Sequence, residues 1–149
     1  MEQDERQNEY FRGTPPNDIT AEQAVLGSMF LDREAASTAL EILSGADFYR
    51  PDHRMVFEAA AELYHTGAPI DVITVKNKLE EKGVFEQIGG LPFLATVSGA
   101  VGSSVNVRHY AAIVEEKSIL RQLIRMSGDV SQMSYEAKQP VNTIMDTAE

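Results

Sequence analysis

The tract from Val105 to Met133, VNVRHYAAIVEEKSILRQLIRMSGDVSQM, contains no proline and a single glycine, Gly128. With nothing to break it, the tract reads as one helix of about 28 residues, ~42 Å long at 1.5 Å per residue. A compact domain of ~100 residues has a radius of gyration of only ~13 Å. A helix of that length must leave the body of a small domain, and the part that leaves needs a cover for its apolar side.

The apolar positions change face halfway along. Val107, Tyr110, Ala111 and Val114 form one stripe at helical spacing, and Ile119, Leu123, Met126, Val130 and Met133 form a second. At 100° per residue the second stripe lies roughly 130° around the axis from the first. The polar run Glu115-Glu116-Lys117-Ser118 separates them. The first half is therefore expected to pack on one body and the second half on another. A thinner third line runs through Ile113, Leu120 and Ile124. It has two readings: a widening of the buried face, as core helices often show, or a contact surface for a second protein.

The rest of the chain reads as almost wholly helical. The polar, acidic start through Thr14-Pro15-Pro16 is expected to be a disordered tail covering residues 1–16, with the prolines holding the entry to the fold extended. Thr20 can cap a helix with Gln23 at its third position, and this helix is apolar over most of its girth, so it belongs at the centre of the core. Gly27 inside it costs about 1 kcal/mol relative to alanine, which points to close approach by another helix. Asp32 caps a second helix through Leu43, and Pro51 opens a third that Gly67 ends. Asp71 caps a fourth that stops at Gly83, and Gly89-Gly90 opens a short fifth. Asp47-Phe48-Tyr49 is expected to anchor on the core, and Asn106 or Ser104 to cap the long helix. After a polar turn, Val141, Ile144, Met145 and Ala148 begin a return helix, still running at Glu149 without a cap or a basic last turn, as expected of a piece of a longer protein. The predicted fold is all-α: a helical head of about five to six helices over 17–104, and a hairpin over 105–149.

Composition narrows the functional classes. A net charge of −10 repels phosphate, and no basic run interrupts it, so strong direct nucleic-acid binding is not expected. There is no cysteine, hence no disulfide framework, thiolate nucleophile or zinc-thiolate site. No segment has the length of a membrane span or the layout of a signal peptide. No catalytic constellation stands either. The chain lacks a GxxxxGK[ST] phosphate loop and a GxGxxG turn. His53 beside Asp52 reads as a surface pair on the first turn of a helix, His65 as a cation at a helix C-terminus, and His109 as solvated. Glu80-Glu81 and Glu115-Glu116 are adjacent and do not face each other. No catalytic, cofactor-binding or metal-ligating residue is assigned, and the residues describe an interaction module.

Five blocks then stand in order: AEQAVLGSMFLD (21–32), DFYRPDHRMVFEA (47–59), PIDVITVKNKL (69–79), IGGLPFLATV (88–97) and NVRHYAAIVEEKSILRQLIR (106–125). Together they resemble the N-terminal domain of bacterial replicative DNA helicases of the DnaB family, over nearly the whole chain after Pro15. The resemblance implies a helical head and hairpin that serve as the collar of a hexameric ring. It implies hairpins paired between neighbouring subunits, and a C-terminal motor, outside these residues, that holds ATP and Mg and contacts DNA. It places the subunit interface on Ile119, Leu123, Met126, Val130 and Met133 with Ile144 and Met145 of the return helix. It places a primase contact near Phe93 and on the long helix near Ile124 and Val130; with the third line this gives Phe93, Ile113, Leu120 and Ile124. Relatives commonly carry tyrosine where Phe93 stands, so the ring is kept and a hydroxyl is lost. A helicase loader is a further implied partner, and the bacterial cytoplasm the implied location. The alternative is a free-standing helical adaptor or loader-like regulator with the same fold.

Overall fold

The computed structural model describes residues 13–149. Seven helices follow one another, with no strand among the described residues: α1 (Ile19–Leu31), α2 (Arg33–Ile42), α3 (Pro51–His65), α4 (Val72–Glu81), α5 (Gly90–Ser98), α6 (Val107–Glu136) and α7 (Val141–Ala148). A single 3-10 turn, Gly45–Asp47, lies between α2 and α3.

Helix α1 is the hub. Its Val25, Leu26 and Met29 are fully buried, and α2, α3, α5 and α6 all pack on it. It starts earlier than the Thr20 cap predicts. Asp18 occupies the N-cap and accepts a hydrogen bond from the Ala21 N–H at 2.9 Å, while Thr20 lies exposed inside the first turn. A carboxylate on extended backbone is at least as good a cap as the threonine hydroxyl, and it satisfies a first-turn donor. The close approach expected at Gly27 is present. A Cβ there would sit 3.0 Å from the Val97 carbonyl oxygen and 3.2 Å from Ala100 and Val101, so the end of α5 can press onto α1 only where the side chain is missing.

The remaining punctuation follows local chemistry. Asp71 and Thr74 form a reciprocal capping box at the start of α4. Pro51 sits in the first turn of α3, where its missing N–H costs nothing. Gly67, at φ 76°, closes α3 by donating to the Tyr64 carbonyl, while Ala68 donates to that of Leu63. Arg33 of α2 clamps the same end: it donates to the carbonyls of Tyr64 and Ala68 at 3.0 and 2.8 Å, with its guanidinium over the Tyr64 ring. The aromatic anchor after the 3-10 turn divides. Phe48 is buried with its ring centroid 4.7 Å from that of Phe57, and Tyr49 stays at the surface.

Among the described residues, helix α6 is the only element shared by the two parts of the molecule. Its first half closes the head, and its second half projects and is met by α7. It runs three residues past Met133 to Glu136, so the polar turn begins only at Ala137, in left-handed backbone at φ 51°. Asn106 occupies its N-cap without a side-chain hydrogen bond. The tail over residues 1–16 lies largely outside the described residues; its end, Gly13 to Pro16, leads into α1.

Candidate functional site

The buried side of α6 is Val107, Ala111, Val114, Ser118 and Arg121. The steps of four, three, four and three put all of them on one line. The first stripe of the sequence therefore does not stop at the polar run 115–118. It continues through two polar residues, and the apolar pattern could not reveal them. Ser118 donates its hydroxyl proton to Asp47 Oδ1 at 2.7 Å. Arg121, 8% exposed, donates from one terminal nitrogen to the Pro16 carbonyl and from the other to the Asp47 carbonyl, both at 2.7 Å. Its guanidinium lies 5.6 Å from the centroid of the Tyr49 ring. Burial pushes the Arg121 pKa down, opposed by the nearby carboxylates of Glu22 and Asp47. The group stays a cation at any ordinary pH.

A second polar cluster stands behind this one. Glu22 of α1 is 1% exposed and His53 of α3 is fully buried, and the Nδ1 of His53 lies 2.8 Å from Glu22 Oε1. The expectation of a surface His53–Asp52 pair is corrected here. Asp52 instead pairs with Arg50 and accepts the backbone N–H of His53, leaving the imidazole free to turn inward. Glu22 also accepts the backbone N–H of Tyr49 at 2.7 Å and of Arg50 at 3.4 Å. A buried carboxylate needs several donors to offset lost hydration, and the chain entering α3 supplies them. The other ring nitrogen, Nε2, has no hydrogen-bond partner among the described residues. The Phe93 ring stacks on His53 with centroids 6.0 Å apart and planes at 18°. Phe93 is thereby half-buried and part of the packing around this pair.

Past Arg121 no residue of α6 or α7 is buried. Ile119, Leu123 and Met126 are exposed, Leu123 at 54%, while Val130 and Met133 are half-covered. On α7, Ile144 is half-covered and Met145 exposed. The two helices enclose a groove of about 450 Å³ whose lining includes Val130, Ala137, Val141, Ile144 and Met145. The third line divides along its length. Ile113 packs against the head core, and Leu120 and Ile124 are exposed, Ile124 at 40%. Among the described residues no group of side chains could hold a metal ion, and no helix is long and apolar enough to cross a membrane.

This geometry defines a class: a helical head carrying a projecting hairpin whose apolar side nothing among the described residues covers. Comparison with known proteins narrows the class. Residues 14–116 match the DnaB-like helicase N terminal domain, and the chain belongs to that family. It is 42% identical over 135 residues to the replicative DNA helicase DnaB of Geobacillus stearothermophilus, covering 91% of this chain and 30% of that protein. It is 39% identical over 136 residues to the DnaB of Leifsonia xyli subsp. xyli, again across 91% of this chain and 30% of the relative. The chain thus spans less than a third of the length of these relatives and corresponds to their N-terminal domain. Among solved structures, the N-terminal domain of DnaB helicase from Mycobacterium tuberculosis superposes with a TM-score of 0.85 at 40% identity, covering 91% of this chain and 95% of that one. The N-terminal domain of the Helicobacter pylori helicase, described with its interactions with primase, shares the fold at a TM-score of 0.67 and 24% identity, covering 78% and 90%.

Proposed function

We propose that this chain is the non-catalytic collar of a replicative DNA helicase, joining subunits of the ring through its hairpin and offering a docking surface to primase. The observation that carries the reading is the uncovered apolar side of the hairpin: Ile119, Leu123 and Met126 exposed on α6, continuing into the groove between α6 and α7. Single exposed apolar residues are ordinary, but a row of them at helical spacing that leads into a groove beside a second amphipathic helix is the pattern of a helix-packing interface. A hairpin from another subunit presents a matching face. In the whole protein the ring is a hexamer, and a separate motor domain binds ATP and Mg, hydrolyses the nucleotide and unwinds DNA in the bacterial cytoplasm. The collar itself binds neither nucleotide nor nucleic acid strongly, consistent with its net charge of −10.

Light scattering after size exclusion tests the pairing. The parent chain runs above monomer mass with a concentration dependence, and Leu123→Asp runs as a monomer with unchanged helical content. A parent chain that stays monomeric at high micromolar concentration rejects the pairing. The proposed primase contact comprises Leu120 and Ile124, which are exposed, and Ile113 and Phe93, which are half-buried on the head. The Helicobacter pylori domain, which shares this fold, is one with interactions with primase. Ile124→Asp is expected to weaken primase binding about tenfold, about 1.4 kcal/mol, without altering the oligomer. If it dissociates the oligomer instead, Ile124 belongs to the hairpin interface.

A further inference from the structure

The long helix leaves the head at Arg121, and the way it is held there differs from the way it is held above. Val107, Ala111 and Val114 make apolar contacts. Such contacts are non-directional, so a helix can roll or tilt over them at small cost. Hydrogen bonds have preferred distances and angles. The last two buried positions before the helix enters solvent are both polar, and both are bonded to segments outside the helices. Ser118 and one arm of Arg121 hold Asp47, and the other arm of Arg121 holds the Pro16 carbonyl. Three bonds to two separate pieces of chain, one from a rigid planar fork, triangulate the helix against the head.

The acceptors are themselves fixed. Asp47 Oδ2 accepts the Ser44 N–H at 2.8 Å, closing the 3-10 turn. Arg54 of α3 donates to the Gly45 carbonyl at 3.1 Å. Glu22 holds the Tyr49 and Arg50 N–H groups from α1. A Cβ at Gly45 would lie 2.3 Å from Glu58 Oε1, so this turn is seated tightly on α3. Beyond Arg121 the helix runs to Glu136, about 22 Å at 1.5 Å per residue, and a tilt of ~10° at the lock moves its end by ~4 Å. That displacement is comparable to the offset between neighbouring knobs in a helix-packing interface.

We propose that Arg121, with Ser118, is an orientation lock: it sets the angle at which the hairpin stands on the head. Without the lock the head stays intact on its apolar contacts, while the hairpin samples a wider range of angles.

The chain has no cysteine, so label sites can be introduced without background. Asn77→Cys on α4 and Ser131→Cys on α6, both exposed positions, are spin-labelled together and diluted with unlabelled protein. The distance distribution is read by pulsed electron resonance, in the parent and in the Leu123→Asp background, so that a second copy cannot hold the angle. Arg121→Ala is expected to at least double the width of the distribution while helical content and the cooperative melt of the head are kept. Arg121→Lys, which keeps the charge but cannot span both carbonyls as a fork, is expected to broaden it as well. Arg125→Ala, which removes an exposed guanidinium one turn further on, should leave the width unchanged. A parental width in Arg121→Ala overturns the proposal, since the apolar stripe would then fix the angle alone. If Arg121→Ala does not fold, Ser118→Ala and Arg121→Lys decide by the same criterion. The readout lies within one chain, so it stands or falls apart from what the hairpin binds.

Discussion

Along one continuous helix, the residues up to Arg121 and the residues after it live in different environments. Val107, Ala111, Val114, Ser118 and Arg121 are buried against a head built around α1, and nothing from Gln122 to Glu136 is buried. Both halves carry apolar residues at the same spacing, so amphipathicity alone does not distinguish them. Among the described residues the first half is covered and the second is not. A helical stripe thus states how much surface needs covering, and the topology of the chain states whether the cover is internal. It also locates the transition, on two polar residues where a serine and an arginine replace the apolar contacts.

Substitutions on the two halves should therefore behave oppositely. The largest effect is expected from Val114→Asp, which places an unpaired carboxylate in the head. It should destabilise the fold by about 4 kcal/mol or abolish it, seen as loss of the cooperative thermal transition. Glu22→Ala comes next. It strips donors on His53, Tyr49 and Arg50 of their shared acceptor, and a urea melt should show a loss of about 3 kcal/mol with the hairpin face unchanged. The smallest effect on the head is expected from Leu123→Asp. It should change the monomer's melting free energy by less than about 0.5 kcal/mol, as exposed positions do, while removing association. Should Leu123→Asp unfold the head, the division of the helix into two environments is wrong.

Much of the architecture was legible from local chemistry. The caps at Asp32 and Asp71, the proline start of α3 and the glycine ends at Gly67 and Gly83 are decided within a few residues of themselves, and they lie where the pattern predicts. Gly27 was legible for a different reason: a residue that costs stability inside a helix implies a neighbour that needs the space. The start of α1 was misplaced by two residues because Asp18 and Thr20 are both good caps and only backbone geometry chooses between them. His53 was misread because its neighbour Asp52 offered a surface partner, whereas its actual partner, Glu22, lies 31 residues away. Ser118 and Arg121 are invisible to periodicity, because a polar residue in a buried line breaks a hydrophobic pattern even when it extends the buried face.

The order of residues alone makes this protein helical, makes one helix outrun its domain, and gives that helix apolar lines on different sides. These properties follow from periodicity and capping, which depend on near neighbours. Which polar groups go inside is settled by packing between distant segments. Arg121 reaches across 105 residues to Pro16 and across 74 to Asp47. A buried polar group is stable only beside the partner that satisfies it, and nothing local to Arg121 names those partners. The same reason separates the two halves of the helix: one meets its cover through the fold, and the other keeps its apolar residues at the surface.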